Sequence, residues 1–122
     1  MKSKHNTTRI GQIGEDSAVR FLYSQGFEIL ERNWRSGHLE IDIIAKKENT
    51  LHIIEVKCRK QNSLTTPYEA LTPNKFRLIQ KATEQYILQS EIDCEVQFDL
   101  IAATHSSNEE CQIDYVPDIR PF

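Results

Sequence analysis

Two apolar–polar alternating runs, Leu39–Lys46 and Leu51–Arg59, are separated only by Lys47-Glu48-Asn49-Thr50, and they constrain this chain more than any other feature. Both runs are rich in Ile, Leu and Val, so each predicts a strand, and the polar tetrapeptide predicts a hairpin loop between them. With residues 47–50 as the loop, Lys46 pairs with Leu51. Asp42 then stands opposite Glu55, and Glu40 opposite Lys57. Side chains alternate faces along a strand, so these four are expected on one face, with Leu39, Ile41 and Ile43 on the other.

The remainder of the chain surrounds this hairpin with helices and further strands. Ile10, Ile13, Ala18, Phe21 and Leu22 recur near helical spacing and predict a helix over 8–25, with Thr7 or Thr8 as N-cap and Gly26 as the stop. Gly14 inside that helix implies a close neighbour, because glycine there costs up to ~1 kcal/mol relative to alanine. Phe27–Arg32 reads as a strand and Ser63–Thr66 as a polar break. Thr72-Pro73 supplies an N-cap and a first-turn proline. A second helix follows, with Phe76, Ile79, Ala82, Thr83 and Tyr86 as its apolar stripe, ending near Ser90. Val96–Ala102 and Ile113–Val116 give two more strands. The order is helix, three strands, helix, two strands: a single α/β domain over residues 1–122, with a mixed sheet flanked by helices.

Composition narrows the class of protein. With 122 residues, 39% hydrophobic and 27% charged, the chain reads as globular and excludes collagenous or disordered classes. It has no apolar run of the roughly 20 residues needed to span a bilayer and no apolar leader after MKSKHNTTRI, which predicts a cytoplasmic protein. Cys58, Cys94 and Cys111 are far apart with no CxxC, so neither a disulfide framework nor a zinc site is expected. The net charge of −3 conceals a division: residues 1–81 hold 14 basic and nine acidic side chains, residues 82–122 one basic and nine acidic. The first part can present a basic face although the whole is acidic.

Asp42 and Glu55 are the candidate residues for chemistry. Two carboxylates facing each other across a strand pair repel unless something positive lies between them. Lys57, a shared proton or a divalent cation could serve. A hard cation such as Mg²⁺ takes one or two carboxylates, with water and substrate phosphate completing its shell. The Val56 carbonyl is a further oxygen ligand, and Lys57 is placed to orient the attacking water or stabilise developing charge. An exposed Glu40–Lys57 pair alone would be ordinary. Acids set between Ile41 and Ile43, and between Ile54 and Val56, are costly unless the site uses them.

Asp42 followed by Glu55-Val56-Lys57 resembles the signature of the PD-(D/E)xK, or restriction-endonuclease-like, nuclease superfamily. The longer string Gly11-x-x-Gly14-Glu15, Gly26-Phe27, Arg32-Asn33-Trp34-Arg35, Glu40-Ile41-Asp42-Ile43-Ile44-Ala45 and Glu55-Val56-Lys57-x-Arg59 resembles the YraN-like family of uncharacterised bacterial proteins over roughly residues 9–103. It is similar, more distantly, to archaeal Holliday-junction resolvases. The resemblance implies an αβββαβ core, Asp42 and Glu55 as Mg²⁺ ligands (Mn²⁺ substituting), Lys57 as the residue that activates water, and Glu15 as an acid that can join the site. It departs at Leu39, where the family usually has Gly and where a side chain would crowd a nucleic-acid backbone.

Among the other residues, Arg35, Arg59 and Lys75 are candidate phosphate contacts, while Arg77 and Lys81 read as a solvated helix face. Trp34 is expected to pack at the sheet edge more than to stack on a base. His5, His38, His52 and His105 show no ligand spacing; only His38 lies near the hairpin's acids. The leading expectation is a Mg²⁺-dependent nuclease acting on DNA, branched or structured DNA included, with a homodimer suiting two-strand cleavage. A non-catalytic nucleic-acid-binding module of the same fold, and a protein-interaction subunit using the acidic 82–122 part, are the alternatives.

Overall fold

The helical spacing of the first segment is realised as α1, Thr8–Ser24, in a computed structural model that describes residues 8–62, 64, 69, 71–106 and 110–120. Ala18, Val19 and Leu22 are buried along one stripe of α1, and the chain turns away through Gly26 at φ +90°, a region where glycine carries no steric cost. The expected N-cap, Thr7 or the side chain of Thr8, and most of the 63–66 break lie outside the described residues.

Among the described residues five strands follow: β1 (Glu28–Ser36), β2 (Leu39–Lys47), β3 (Thr50–Lys60), and, after α2 (Pro73–Ser90), β4 (Glu95–His105) and β5 (Cys111–Val116). They form one sheet in sequence order, antiparallel except for the parallel pair β3–β4. A parallel neighbour requires a long crossover, and α2 lies within it. The expected αβββαβ order is therefore present, with β5 added as a fifth strand.

Neighbouring residues on the central strands bury on opposite faces. Ile53, Leu100 and Ile44 pack with Phe76, Ile79, Ala82 and Tyr86 of α2. Ile54, Ile101 and Ile43 pack with Ala18, Val19 and Leu22 of α1. The sheet is thus covered on both sides, which explains why β4 is apolar through Leu100, Ile101, Ala102 and Ala103 instead of alternating. Helix α2 has the predicted cap: the Thr72 hydroxyl accepts from the Lys75 N–H at 3.2 Å ahead of Pro73. Its buried residues are the five of the predicted stripe.

Three details differ from the sequence expectation. The β2–β3 loop is only Glu48-Asn49, because Lys47 and Thr50 also pair; the expected Lys46–Leu51 pair is present. Strand β1 runs past Arg32 to Ser36, since Trp34, Arg35 and Ser36 pair with Ile41, Glu40 and Leu39 around the turn at Gly37 and His38. Strand β2 does not alternate strictly. Leu39 and Ile41 pack on the α2 side together with Ile44, whereas Ile43 and Ala45 face α1. The face changes at Asp42. Across the β1–β2 pair the corresponding residue is Asn33, flanked by the pairs Arg32–Ile43 and Trp34–Ile41, and its φ of 52° is left-handed in mid-strand. A left-handed residue inside a strand kinks it and re-aims its neighbours, which accounts for the broken period.

Candidate functional site

The paired register of β2 and β3 runs from Lys47–Thr50 to Ile43–Ile54. At the next position the strands hold each other differently: Asp42 Oδ2 accepts the Val56 N–H at 2.9 Å. A carboxylate thus takes a strand N–H just past the last paired rung, and it does so beside Glu55. Within a strand the N–H and C=O of one residue point to the same neighbour, so the Val56 carbonyl faces the same opening. The expected Asp42–Glu55 rung is absent from the register, but the two acids flank one peptide unit. The expected Glu40–Lys57 pairing is corrected. With the face change at Asp42, Glu40 instead pairs with Arg35 across β1–β2 at 3.6 Å.

Glu55 follows Ile53 on the α2 side of β3, and Lys57 and Arg59 continue that alternation. Glu55 Oε2 lies 2.8 Å from the Lys75 ammonium, with Glu55 largely buried and Lys75 43% exposed. Lys57 is exposed. Arg59 donates from Nε to the Thr104 hydroxyl at 3.0 Å. Of the three expected phosphate contacts, Lys75 therefore lies at Glu55, Arg59 lies further along the same strand face, and Arg35 sits on the edge strand β1 with Glu40.

Glu15 is buried at the Gly14 approach of α1. The glycine expectation is explained by contact: a Cβ at Gly14 would overlap Cys58 Sγ and come within 3.3 Å of Ala103 Cβ. Three donors converge on Glu15 Oε1: Arg32 Nε at 3.2 Å, Arg32 Nη2 at 2.9 Å and Asn33 Nδ2 at 2.9 Å. Arg32 also reaches Asp16 Oδ1 at 2.7 Å, and this hydrogen bond holds the Asp16 carboxyl below its usual range despite some burial. Asn33 thus both kinks β1 opposite Asp42 and fixes Glu15. Neither Arg32 nor Asn33 stands out as functional by residue type; the one cue was their place in the Arg32-Asn33-Trp34-Arg35 string.

Cys58, between Lys57 and Arg59, faces α1. Burial pushes its thiol up to about 11, helped by negative charge at Cys111, Asp42 and Glu15 and opposed by Lys57. A value that high leaves the thiol protonated at neutral pH.

The donor set suits one type of cation. Among the described residues no three His, Cys, Asp or Glu side chains gather into a metal-binding group. A zinc-type site needs three or four such side chains. A Mg²⁺-type ion takes one or two carboxylates and fills the rest of its shell with water and other oxygens. Asp42, Glu55 and the Val56 carbonyl are such a set.

Two residues lie elsewhere. Trp34 packs edge-on against Tyr86, with ring centroids 5.2 Å apart, as the packing expectation held. Leu39, the departure from the usual Gly, packs into the α2-side core, and His38 is exposed in the β1–β2 turn.

A second acid escaped the sequence reading. Asp99 on β4 is 2% exposed and receives four hydrogen bonds. Tyr115 Oη donates to Oδ2 at 2.8 Å, while Gln97 Nε2 and the Asp118 N–H donate to Oδ1, each at 2.9 Å. His52 Nδ1 lies 2.7 Å from Oδ2. Burial alone would raise the Asp99 pKa, but His52, the Asp118 amide, Gln97 and Tyr115 together hold it below its usual value. An ionised carboxylate only accepts, so His52 carries its proton on Nδ1. Burial, with Asp99 beside it, raises the Tyr115 phenol. The available cue was an Asp between Phe98 and Leu100, the same cue that singled out Asp42.

Among known families, the model of the uncharacterised protein family UPF0102 matches residues 14–103. A UPF0102 protein of Flavobacterium psychrophilum is 40% identical over 116 residues, covering 95% of each chain. One from Bacteroides thetaiotaomicron is 38% identical over 95% of this chain and 93% of its own. One from Chlorobium chlorochromatii is 37% identical over 93% of this chain and 88% of its own.

Proposed function

This chain belongs to the uncharacterised protein family UPF0102, and from that premise we propose that its β2–β3 fork is the active site of a divalent-metal-dependent nuclease that hydrolyses phosphodiester bonds in DNA. One observation carries the reading. Just past the last β2–β3 rung, the Asp42 carboxylate is fixed on the Val56 N–H, the backbone position directly after Glu55, so acids from the two strands and a strand carbonyl come from adjoining positions where the pairing ends. A hard cation would offset the repulsion between two carboxylates placed there.

Asp42, Glu55 and the Val56 carbonyl would hold the ion. When bound, it supplies charge neutralisation at the phosphodiester and a water of lowered pKa. The protein residues do the rest. The Val56 N–H fixes the Asp42 carboxylate so that it need not reorganise during the reaction. Lys57, exposed on the Glu55 face, orients the attacking water and offsets charge developing on the phosphate. Glu15 is held rigid by Arg32 and Asn33 and extends the acidic wall toward α1. Arg59 and Lys75 border the Glu55 face, and Arg35 the edge strand, where each can meet a phosphate oxygen. The reading includes a cytoplasmic location, and a pair of chains where both strands of a duplex are cut. Among the described residues no helix is long and apolar enough to cross a membrane.

The test is hydrolysis of duplex, single-stranded and four-way DNA, with RNA alongside, in Mg²⁺ or Mn²⁺. The expected result is metal-dependent DNA cleavage that is lost in Asp42→Asn, Glu55→Gln and Lys57→Met. Cleavage that survives all three substitutions would overturn the assignment. Salt-sensitive binding without any cleavage would favour the non-catalytic module.

A further inference from the structure

Lys75 lies where the proposed ion would compete with it. Its backbone N–H is fixed on the Thr72 cap at the first turn of α2, and its ammonium reaches across to Glu55 Oε2 at 2.8 Å. Glu55 is the less exposed partner, at 15% against 43% for Lys75. The ammonium can therefore swing into solvent while the carboxylate stays in place. Lys57 and Arg59 follow Glu55 on the same strand face, so an ammonium leaving Glu55 enters a region already basic.

We propose that Lys75 is the exchangeable counter-cation of Glu55: a divalent ion and the Lys75 ammonium take the same oxygen in turn, and metal loading turns Lys75 over to a nucleic-acid phosphate. The proposal rests on the nuclease-site reading and deepens it. Its physical basis is charge bookkeeping at one carboxylate. An ammonium and a dication on the same carboxylate oxygen repel each other, so the two compete for Glu55 Oε2. The exchange couples two events. Without metal, Lys75 is neutralised by Glu55 and adds little to polyanion binding. With metal, it adds one phosphate contact on the Glu55 face. Lys75 is thus a positioning and binding residue, with no part in bond breaking.

The test uses the full chain as wild type, Lys75→Met, Lys75→Arg and Glu55→Gln, each checked for an unchanged circular-dichroism melt. Mn²⁺ affinity is measured by calorimetry, and duplex-DNA binding across a salt series is measured in Ca²⁺ and in chelator. Removing a competing, part-exposed ion pair should tighten Mn²⁺ binding about two- to fivefold in Lys75→Met. Lys75→Arg should stay near wild type. The slope of log affinity against log salt should become shallower by about 0.9 in Lys75→Met, the loss of one phosphate contact, in Ca²⁺ but not in chelator. If Mn²⁺ binding depends on Glu55 yet Lys75→Met leaves it unchanged or weaker, the exchange is wrong and the metal site stands. If Mn²⁺ binding is absent or indifferent to Glu55→Gln, the site itself fails and the exchange falls with it.

Discussion

Asp42 and Asp99 are the same residue type in nearly the same sequence setting, one between two isoleucines and the other between Phe98 and Leu100. Their surroundings differ in kind. Asp99 is sealed: both oxygens are taken up by His52, Tyr115, Gln97 and the Asp118 N–H, and the side chain is fully covered. It ties β3, β4, β5 and the segment after β5 into one network. Asp42 lies just past the last β2–β3 rung with Oδ2 on the Val56 N–H, and Glu55, the residue before Val56, is paired with the part-exposed Lys75. A saturated buried acid stabilises a fold. An acid at an opening, matched by exchangeable positive groups, is suited to a ligand. The comparison teaches that an acid in an apolar strand is only half a signal, and that how deeply it and its partners are buried supplies the other half.

Exchanging charge for amide at each acid separates the two roles most sharply. Asp42→Asn and Glu55→Gln should each lower metal-dependent cleavage by about 100-fold or more, since altering even the outer partners of a metal site commonly costs 10–100-fold. The same variants should melt close to wild type, because Asn at position 42 still offers an oxygen to the Val56 N–H. Asp99→Asn should do the opposite. Loss of a buried, multiply bonded carboxylate is expected to cost about 2–4 kcal/mol, lowering Tm by on the order of 10 °C. Cleavage measured well below that Tm should persist. Equal stability losses at both positions would dissolve the distinction.

Gly14 tests the scaffold between the two regions. Gly14→Ala should destabilise by about 1–3 kcal/mol through its overlap with Cys58, and Cys58→Ala in the same chain should restore part of the loss in chemical denaturation. Smaller still is the effect expected at Asn33. Asn33→Gly keeps the left-handed backbone and gives up the bond to Glu15. Asn33→Ala gives up both, and should be less stable than the glycine variant by about 1 kcal/mol. Equal stabilities would remove the backbone's part in turning Asp42.

The pH dependence sharpens the sealed side alone. The folded pKa of Asp99 is depressed, so its contribution is complete above the unfolded value of about 3.9 and is lost as pH falls through the folded value. The Tm gap between wild type and Asp99→Asn should hold steady from neutral pH to about pH 5 and narrow only in more acid solution. A gap that narrows near neutrality would point to a different titrating group.

Much of the fold was legible because it rests on periodicity: the α2 stripe, the Thr72 cap and the Lys46–Leu51 register are local patterns. The face change at Asp42 was not legible, because its cause is a left-handed Asn33 on the neighbouring strand, and Asn reads equally well as an ordinary polar residue. For the same reason the placing of Glu40 opposite Lys57 failed, since strict alternation was carried past the point where β2 turns. At the site, Asp42 and Glu55 were marked by type and setting and Glu15 only by the family resemblance, whereas the cradle of Glu15 depends on residues 17 and 18 positions away. The Asp99 network was hidden similarly: His52 looked isolated because its partner lies 47 residues further along the chain.

The central claim is that Asp42 and Glu55 share one divalent ion at the β2–β3 fork, and a Mn²⁺-soaked crystal read by anomalous scattering tests it most directly. The account predicts a single strong peak within coordination distance of both carboxylates and the Val56 carbonyl, absent from Glu55→Gln. A peak that touches neither acid, or persists unchanged in that variant, would contradict it.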